Sequence, residues 1–253
     1  ANMSMHNADL IIAIGARFDD RITNTPKLFA PNAKIIHLDV DYSSVSKIIE
    51  ANIAVFGQVK NSLSEMIKLL EVKKELIDPK KILPWKKQIS DWKSQHGLNH
   101  EMHLCETDDK TIMPQAVVQH IYNITNGKAF ITSDVGQHQM FAAQYYHFDE
   151  PRKWINSGGL GTMGFGLPAA MGAKLAYPNE EVICITGEGS IQMCIQELST
   201  CTQCNLPIKI ININNEALGI VKQWQDMNYG GRHSASTYQS SLPNFVELAE
   251  SYG

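Results

Sequence analysis

The feature that most constrains this chain is Gly187-Glu188-Gly189-Ser190, answered further on by Asn214-Asn215. Residues 182–186 read as a buried strand, residues 191–204 as the following helix and residues 208–213 as the next strand. A strand-helix-strand unit makes the two strands parallel, and right-handed crossover keeps them close. Glu188 and Asn215 then stand at the carboxyl ends of neighbouring strands, where open α/β sheets bind ligands. Two oxygen donors there suit a hard cation such as Mg²⁺, which also takes phosphate oxygens. Glycines at 187 and 189 admit a diphosphate close to the backbone, and a helix N-terminus near Ser190 offers amides to it. The competing reading is an ordinary strand-turn-helix with a glycine turn.

The pattern resembles the thiamine-diphosphate motif, whose usual form is Gly-Asp-Gly followed by Asn-Asn. Glu188 stands where that motif carries Asp.

The chain has 253 residues, room for one large or two small domains. With 43% hydrophobic and 19% charged residues it can bury a core. A net charge of −4 leaves no basic footprint for nucleic acid and no polybasic membrane patch. No apolar run approaches the ~20 residues that span a bilayer, and no signal peptide opens the chain. Sequence begins almost directly in a strand and stops at Gly253 after a helical stretch, 244–252, so both ends read as cut from a longer protein. Cys105, Cys184, Cys194, Cys201 and Cys204, without a secretory signal, favour a reducing compartment. Cys201 and Cys204 close a helix instead of opening one, which favours packing over redox chemistry.

Three regions emerge. Residues 1–76 alternate strands (10–14, 34–39, 54–56) with helices (44–51, 59–71), the last presenting Leu63, Met66, Ile67 and Leu70 on one face. Residues 77–110 read as a polar linker with a solvated helix over 85–95; His96, His100, His103 and Cys105 suit that linker better than a metal cluster. A second α/β domain occupies 111–253, with a helix from Met113 to Ile121, strands at 129–134 and 153–155, and a helix over 164–176.

Two further loops follow strands. Asp134-Val-Gly-Gln-His-Gln-Met140 opens a helix, and the amides of Gln137 and His138 can face an anion; a capped helix with a solvated histidine is the alternative. Asn156 to Gly166 holds five glycines, a backbone-entropy cost that close approach of a ligand explains, with Met163 as its only long unbranched apolar side chain. Past Asn215, Trp224 reads either as a substrate or cofactor wall or as core.

Taken together, G-A-R-F-D-D-R, D-V-G-Q-H-Q-M, G-G-L-G-T-M-G-F-G-L-P-A-A, G-E-G-S-I-Q-M, I-Q-E-L-S-T, I-N-N and V-K-Q-W-Q resemble the acetolactate synthase (acetohydroxyacid synthase) large-subunit family of thiamine-diphosphate enzymes. The resemblance covers nearly everything but the linker. It implies two Rossmann-like parallel-sheet α/β domains, both incomplete: a middle, FAD-associated domain and a diphosphate-binding domain. It implies Mg²⁺ on Glu188, Asn215 and the Ala217 carbonyl, and the diphosphate near Gly136, Gln137, His138, Gly189 and Ser190. Met163 matches the residue that bends the cofactor, Gly161 the carbonyl beside its aminopyrimidine, and Trp224 a wall of the acceptor-ketoacid and herbicide pocket. Arg17, Asp20, Arg21 and Asp39 match the FAD surface, with Gln58 where an acidic residue is usual. The implied activity is decarboxylation of pyruvate and its ligation to a second 2-ketoacid, in branched-chain amino-acid synthesis. The implied catalytic glutamate lies outside this chain, in a partner's N-terminal domain. A homodimer or tetramer, a regulatory small subunit, and a cytoplasmic setting in bacteria (plastid or mitochondrion in eukaryotes) follow on the same ground. Other readings are a glyoxylate carboligase or pyruvate oxidase, a flavin or nicotinamide oxidoreductase, and a non-catalytic homologue; the oxidoreductase lacks a G-x-G-x-x-G after residues 10–14.

Overall fold

The computed structural model describes residues 1–98, 111–238 and 240–253. His100, His103 and Cys105 lie outside the described residues. The chain divides into two compact units, Ala1–Asn99 and His100–Gly253.

The first unit is built on three parallel strands, β1 (Leu10–Ile14), β2 (Lys34–Asp39) and β3 (Ile53–Phe56), paired in that order. Ala13, Phe18 and Ile35 are buried on one face with Ile11, Phe29 and Ile49 against them. Strand periodicity sends Leu10, Ile12 and Ile14 to the other face, where each is more than 40% exposed. Helices α1 (Val59–Val72) and α2 (Leu83–His96) follow.

Residues 44–51 were expected as a helix and form turns instead. Serine and aspartate side chains compete for the backbone there. The Asp41 carboxylate accepts from the hydroxyls of Ser43 (2.8 Å) and Ser44 (2.7 Å). Ser46 takes a left-handed φ of 59° and its hydroxyl accepts from the Ala51 amide at 3.1 Å.

The second unit carries four parallel strands in the order β5-β4-β6-β7, with β4 at Phe130–Ser133, β5 at Trp154–Asn156, β6 at Val182–Gly187 and β7 at Lys209–Ile213. Alternate residues feed two cores, one on each face. Ile131, Ile183 and Ile185 pack with Val118, Ala142 and Tyr145 from α3 (Pro114–Thr125) and α4 (Gln137–Tyr145). Phe130, Val182 and Cys184 pack with Leu167, Ala170 and Ala173 from α5 (Gly166–Ala176). Each fully buried side chain of this size contributes about 1.5–3 kcal/mol, so the alternation alone commits this sheet to two helical layers.

The strand order also places the site. From β4 the chain goes to one side to form β5 and then crosses to the other side to form β6. The order reverses between β4 and β6, and a crevice opens outside their carboxyl ends.

The expected helix over 191–204 is broken. A single turn, Glu188–Ile191, is followed by i→i+3 bonds such as Met193 to Ser190 (3.1 Å) and Glu197 to Cys194 (3.0 Å), before α6 (Glu197–Gln203) begins. The Gln192 side chain takes the Glu188 carbonyl at 2.8 Å, an acceptor a regular helix would have used. Past β7 come α7 (Gly219–Asn228) and α8 (Phe245–Tyr252), the latter capped by Asn244. Cys184 and Cys194 are buried in the core, where desolvation lifts their thiols to about 12 and about 11; they behave as packing groups.

Candidate functional site

The loops after β4 and β6 and the segment after β7 converge on one cavity of about 330 Å³, within the size range of small-molecule sites. Gly136, Gln137, His138, Gly161, Met163, Glu188, Gly189, Ser190, Asn215 and Ala217 all line it. Trp224 does not; it is 51% exposed on α7, one turn beyond the lining residue Val221.

Glycines make room here. A Cβ at Gly136 would come within 2.6 Å of the His138 ring, and one at Gly187 within 2.7 Å. A Cβ at Gly189 would run into the Tyr238 hydroxyl. The imidazole is therefore held between two backbones, and His138 is only 7% exposed, against the alternative of a solvated ring. Burial lowers its pKa to about 4, although the Asp134 charge acts in the opposite sense. Its Nε2 is buried and meets no hydrogen-bond partner. Such an atom costs free energy until a ligand completes it.

Glu188 is 2% exposed. Its Oε1 accepts from the Ala217 amide at 2.8 Å and its Oε2 from the Asn215 amide at 3.4 Å. The Asn215 Oδ1 also accepts from the Ala217 amide at 3.2 Å, and its Nδ2 donates to Gln137 Oε1 at 3.1 Å. A buried carboxylate offers about four lone-pair positions. Two amides leave the charge under-compensated, and a hard cation beside the Asn215 oxygen suits what remains. Tyr238, whose phenol is pushed upward by burial and by the Glu188 charge, closes this side. Its amide donates to the Glu216 carbonyl at 3.0 Å, so the 236–238 segment straps the Asn215–Ala217 turn in place.

Sequence reasoning missed Tyr238, Gln223 and Asp134. Gln223 accepts from Gln137 Nε2 at 3.1 Å. Asp134 is completely buried and accepts from the Gly164 amide at 2.7 Å. Its position next to the glycine turn was visible in the sequence; its reach to a loop 30 residues away was not.

In the first unit Arg17, Asp20, Arg21 and Asp39 fall at or after the carboxyl ends of β1 and β2. Arg17 pairs with Asp19 at 3.2 Å, and Asp39 accepts from the Asp41 amide at 2.9 Å. Elsewhere in the second unit a groove of about 770 Å³ runs between β7, α6 and α8. Its walls are mainly apolar, with Thr202, Asn205 and Asn212 among them, and among the described residues Cys201 and Tyr252 are its only titratable side chains.

Residues 134–253 match the family described as thiamine pyrophosphate enzyme, C-terminal TPP binding domain, and residues 1–66 match its central domain. Over its full length the chain is 58% identical to an acetolactate synthase large subunit of Buchnera aphidicola subsp. Schlechtendalia chinensis. It is 54% identical to the acetolactate synthase isozyme 3 large subunit of Escherichia coli (strain K12) and 53% identical to an acetolactate synthase large subunit of Haemophilus influenzae. The chain spans 43% of the length of each of these relatives.

Proposed function

The chain belongs to the thiamine pyrophosphate enzymes, and on that premise we propose that it forms the FAD-associated and diphosphate-binding parts of an acetolactate synthase catalytic subunit. One observation carries the reading: a glycine cradle, a buried imidazole nitrogen without a partner and an under-compensated carboxylate meet in a single cavity. The residues fit thiamine diphosphate and Mg²⁺. The amides of Gln137, His138 and Ser190 would offer their N–H groups to a diphosphate, and the unpartnered His138 Nε2 would donate to it once the ligand's negative charge has drawn a proton onto the ring. Glu188, the Asn215 side chain and the Ala217 carbonyl would hold the ion. Met163 would set the bend of the cofactor and Gly161 would meet its aminopyrimidine.

When bound, the cofactor supplies the electron sink that lets one 2-ketoacid lose CO₂ and join a second. The protein binds, orients and keeps water out. Val221 and Ile220 give the cavity an apolar wall, and Trp224, further along α7, would face the acceptor ketoacid as it enters. Arg17, Asp20, Arg21 and Asp39 would hold FAD at the end of the first sheet. Oligomers of the full subunit, a regulatory partner and a reducing compartment, the cytoplasm in a bacterium or a plastid or mitochondrion in a eukaryote, accompany this proposal. No helix among the described residues is long and apolar enough to cross a membrane.

Incubating the complete subunit with pyruvate, thiamine diphosphate, Mg²⁺ and FAD should yield 2-acetolactate. Acetaldehyde or acetate as the main product would assign the site to a decarboxylase or an oxidase instead.

A further inference from the structure

We propose that Asp134 is a positioning residue that sets where Met163 stands in the cavity, by tying the glycine-rich loop to the end of β4. The inference rests on the thiamine-diphosphate reading of the site.

The geometry is specific. Asp134 is fully buried. Its Oδ1 accepts from the Val135 amide at 3.0 Å and from the Gly164 amide at 2.7 Å; its Oδ2 accepts from the Thr186 hydroxyl at 3.4 Å. Gly166, the first residue of α5, lies so close that a Cβ there would sit 2.8 Å from the Asp134 amide nitrogen. The carboxylate thus faces the amino end of an 11-residue helix, where negative charge is favoured.

These neutral donors compensate a buried charge only in part, and a well-packed apolar side chain would meet no such cost. What the carboxylate adds is position. Gly164 directly follows Met163 and has a left-handed φ of 88°, so its amide direction fixes how the loop turns. Held at 2.7 Å, that amide cannot swing, and Met163 keeps its place on the cavity wall. The neighbouring Val135 joins the remaining loop, since its carbonyl accepts from the Ser190 hydroxyl at 2.9 Å. One dipeptide therefore sets three loops against each other.

The diphosphate end of the cavity depends on backbone after Gly136 and on the turn after β6, whereas Met163 faces the rest of the ligand. Two probes separate these roles: thiamine diphosphate and inorganic pyrophosphate, each titrated with Mg²⁺ into the complete subunit. Asp134→Ala is expected to weaken thiamine diphosphate by roughly 10–100-fold, the usual effect of losing a group that orients a site, and to leave pyrophosphate within about twofold. Asp134→Asn keeps an oxygen for both amides and should bind both probes like the parent. If Asp134→Ala does not fold, Asp134→Ser, too short to reach Gly164, takes its place. Equal loss of both probes, no loss of either, or failure of the Asn variant to restore binding overturns the proposal. A parent protein that binds neither probe refutes the cofactor reading itself, so the two failures remain distinct.

Discussion

At the scale of single residues, two groups in the cavity carry measurable consequences. His138 is neutral because burial lowers its pKa from 6.5 to about 4. As pH falls below about 6.5 the unfolded chain takes up a proton that the native imidazole refuses until about 4. Across that window the unfolded state binds more protons, so stability falls with pH, by up to about 3 kcal/mol from this residue. His138→Gln should remove that contribution. Thermal unfolding measured between pH 6.5 and 4.5 is expected to show a shallower fall for the variant, and parallel curves would contradict the account. Glu188 is the second group. It reaches the Asn215 and Ala217 amides with a side chain one methylene longer than the usual aspartate. Mg²⁺ demands near-ideal octahedral geometry, so Glu188→Asp should free the carboxylate from that turn and tighten Mg²⁺-dependent thiamine-diphosphate binding severalfold. Unchanged affinity in a titration of the complete subunit would sink the idea.

At the scale of elements, the strands were legible because the alternation of Ile131, Ile183 and Ile185 against Phe130, Val182 and Cys184 serves two cores at once. The three glycine-bearing loops were legible because each follows such a strand. What could not be read was competition for the backbone. Ser43, Ser44 and Ser46 undo an expected helix over 44–51, and Gln192 helps interrupt another after Ile191. Nor could pattern alone show that Asp134 reaches Gly164, since that bond exists only once β4 and α5 are packed. The contact between those elements gives a direct test. Gly166→Ala places a methyl 2.8 Å from the Asp134 backbone. Overpacking of this kind costs about 1–3 kcal/mol, and a drop in unfolding midpoint of several degrees should register it. An unchanged midpoint would mean that α5 can retreat from β4 freely.

At the scale of the molecule, two parallel-sheet units share one chain, and the cavity belongs entirely to the second. Among the described residues Glu188 is the only carboxylate on its wall, and it is bonded to the Asn215–Ala217 turn. On the proposed reading, a proton-transfer group for the cofactor's aminopyrimidine would come from outside this chain. Residues 1–253 alone are expected to make no 2-acetolactate from pyruvate, and turnover by the isolated chain would contradict this. The measurement that tests the central claim most directly is calorimetric titration of thiamine diphosphate into the complete subunit, with and without Mg²⁺, in the parent and in Asn215→Ala. Saturable binding that requires Mg²⁺ and is lost in the variant is the predicted result; binding indifferent to both, or no binding at all, would contradict the account.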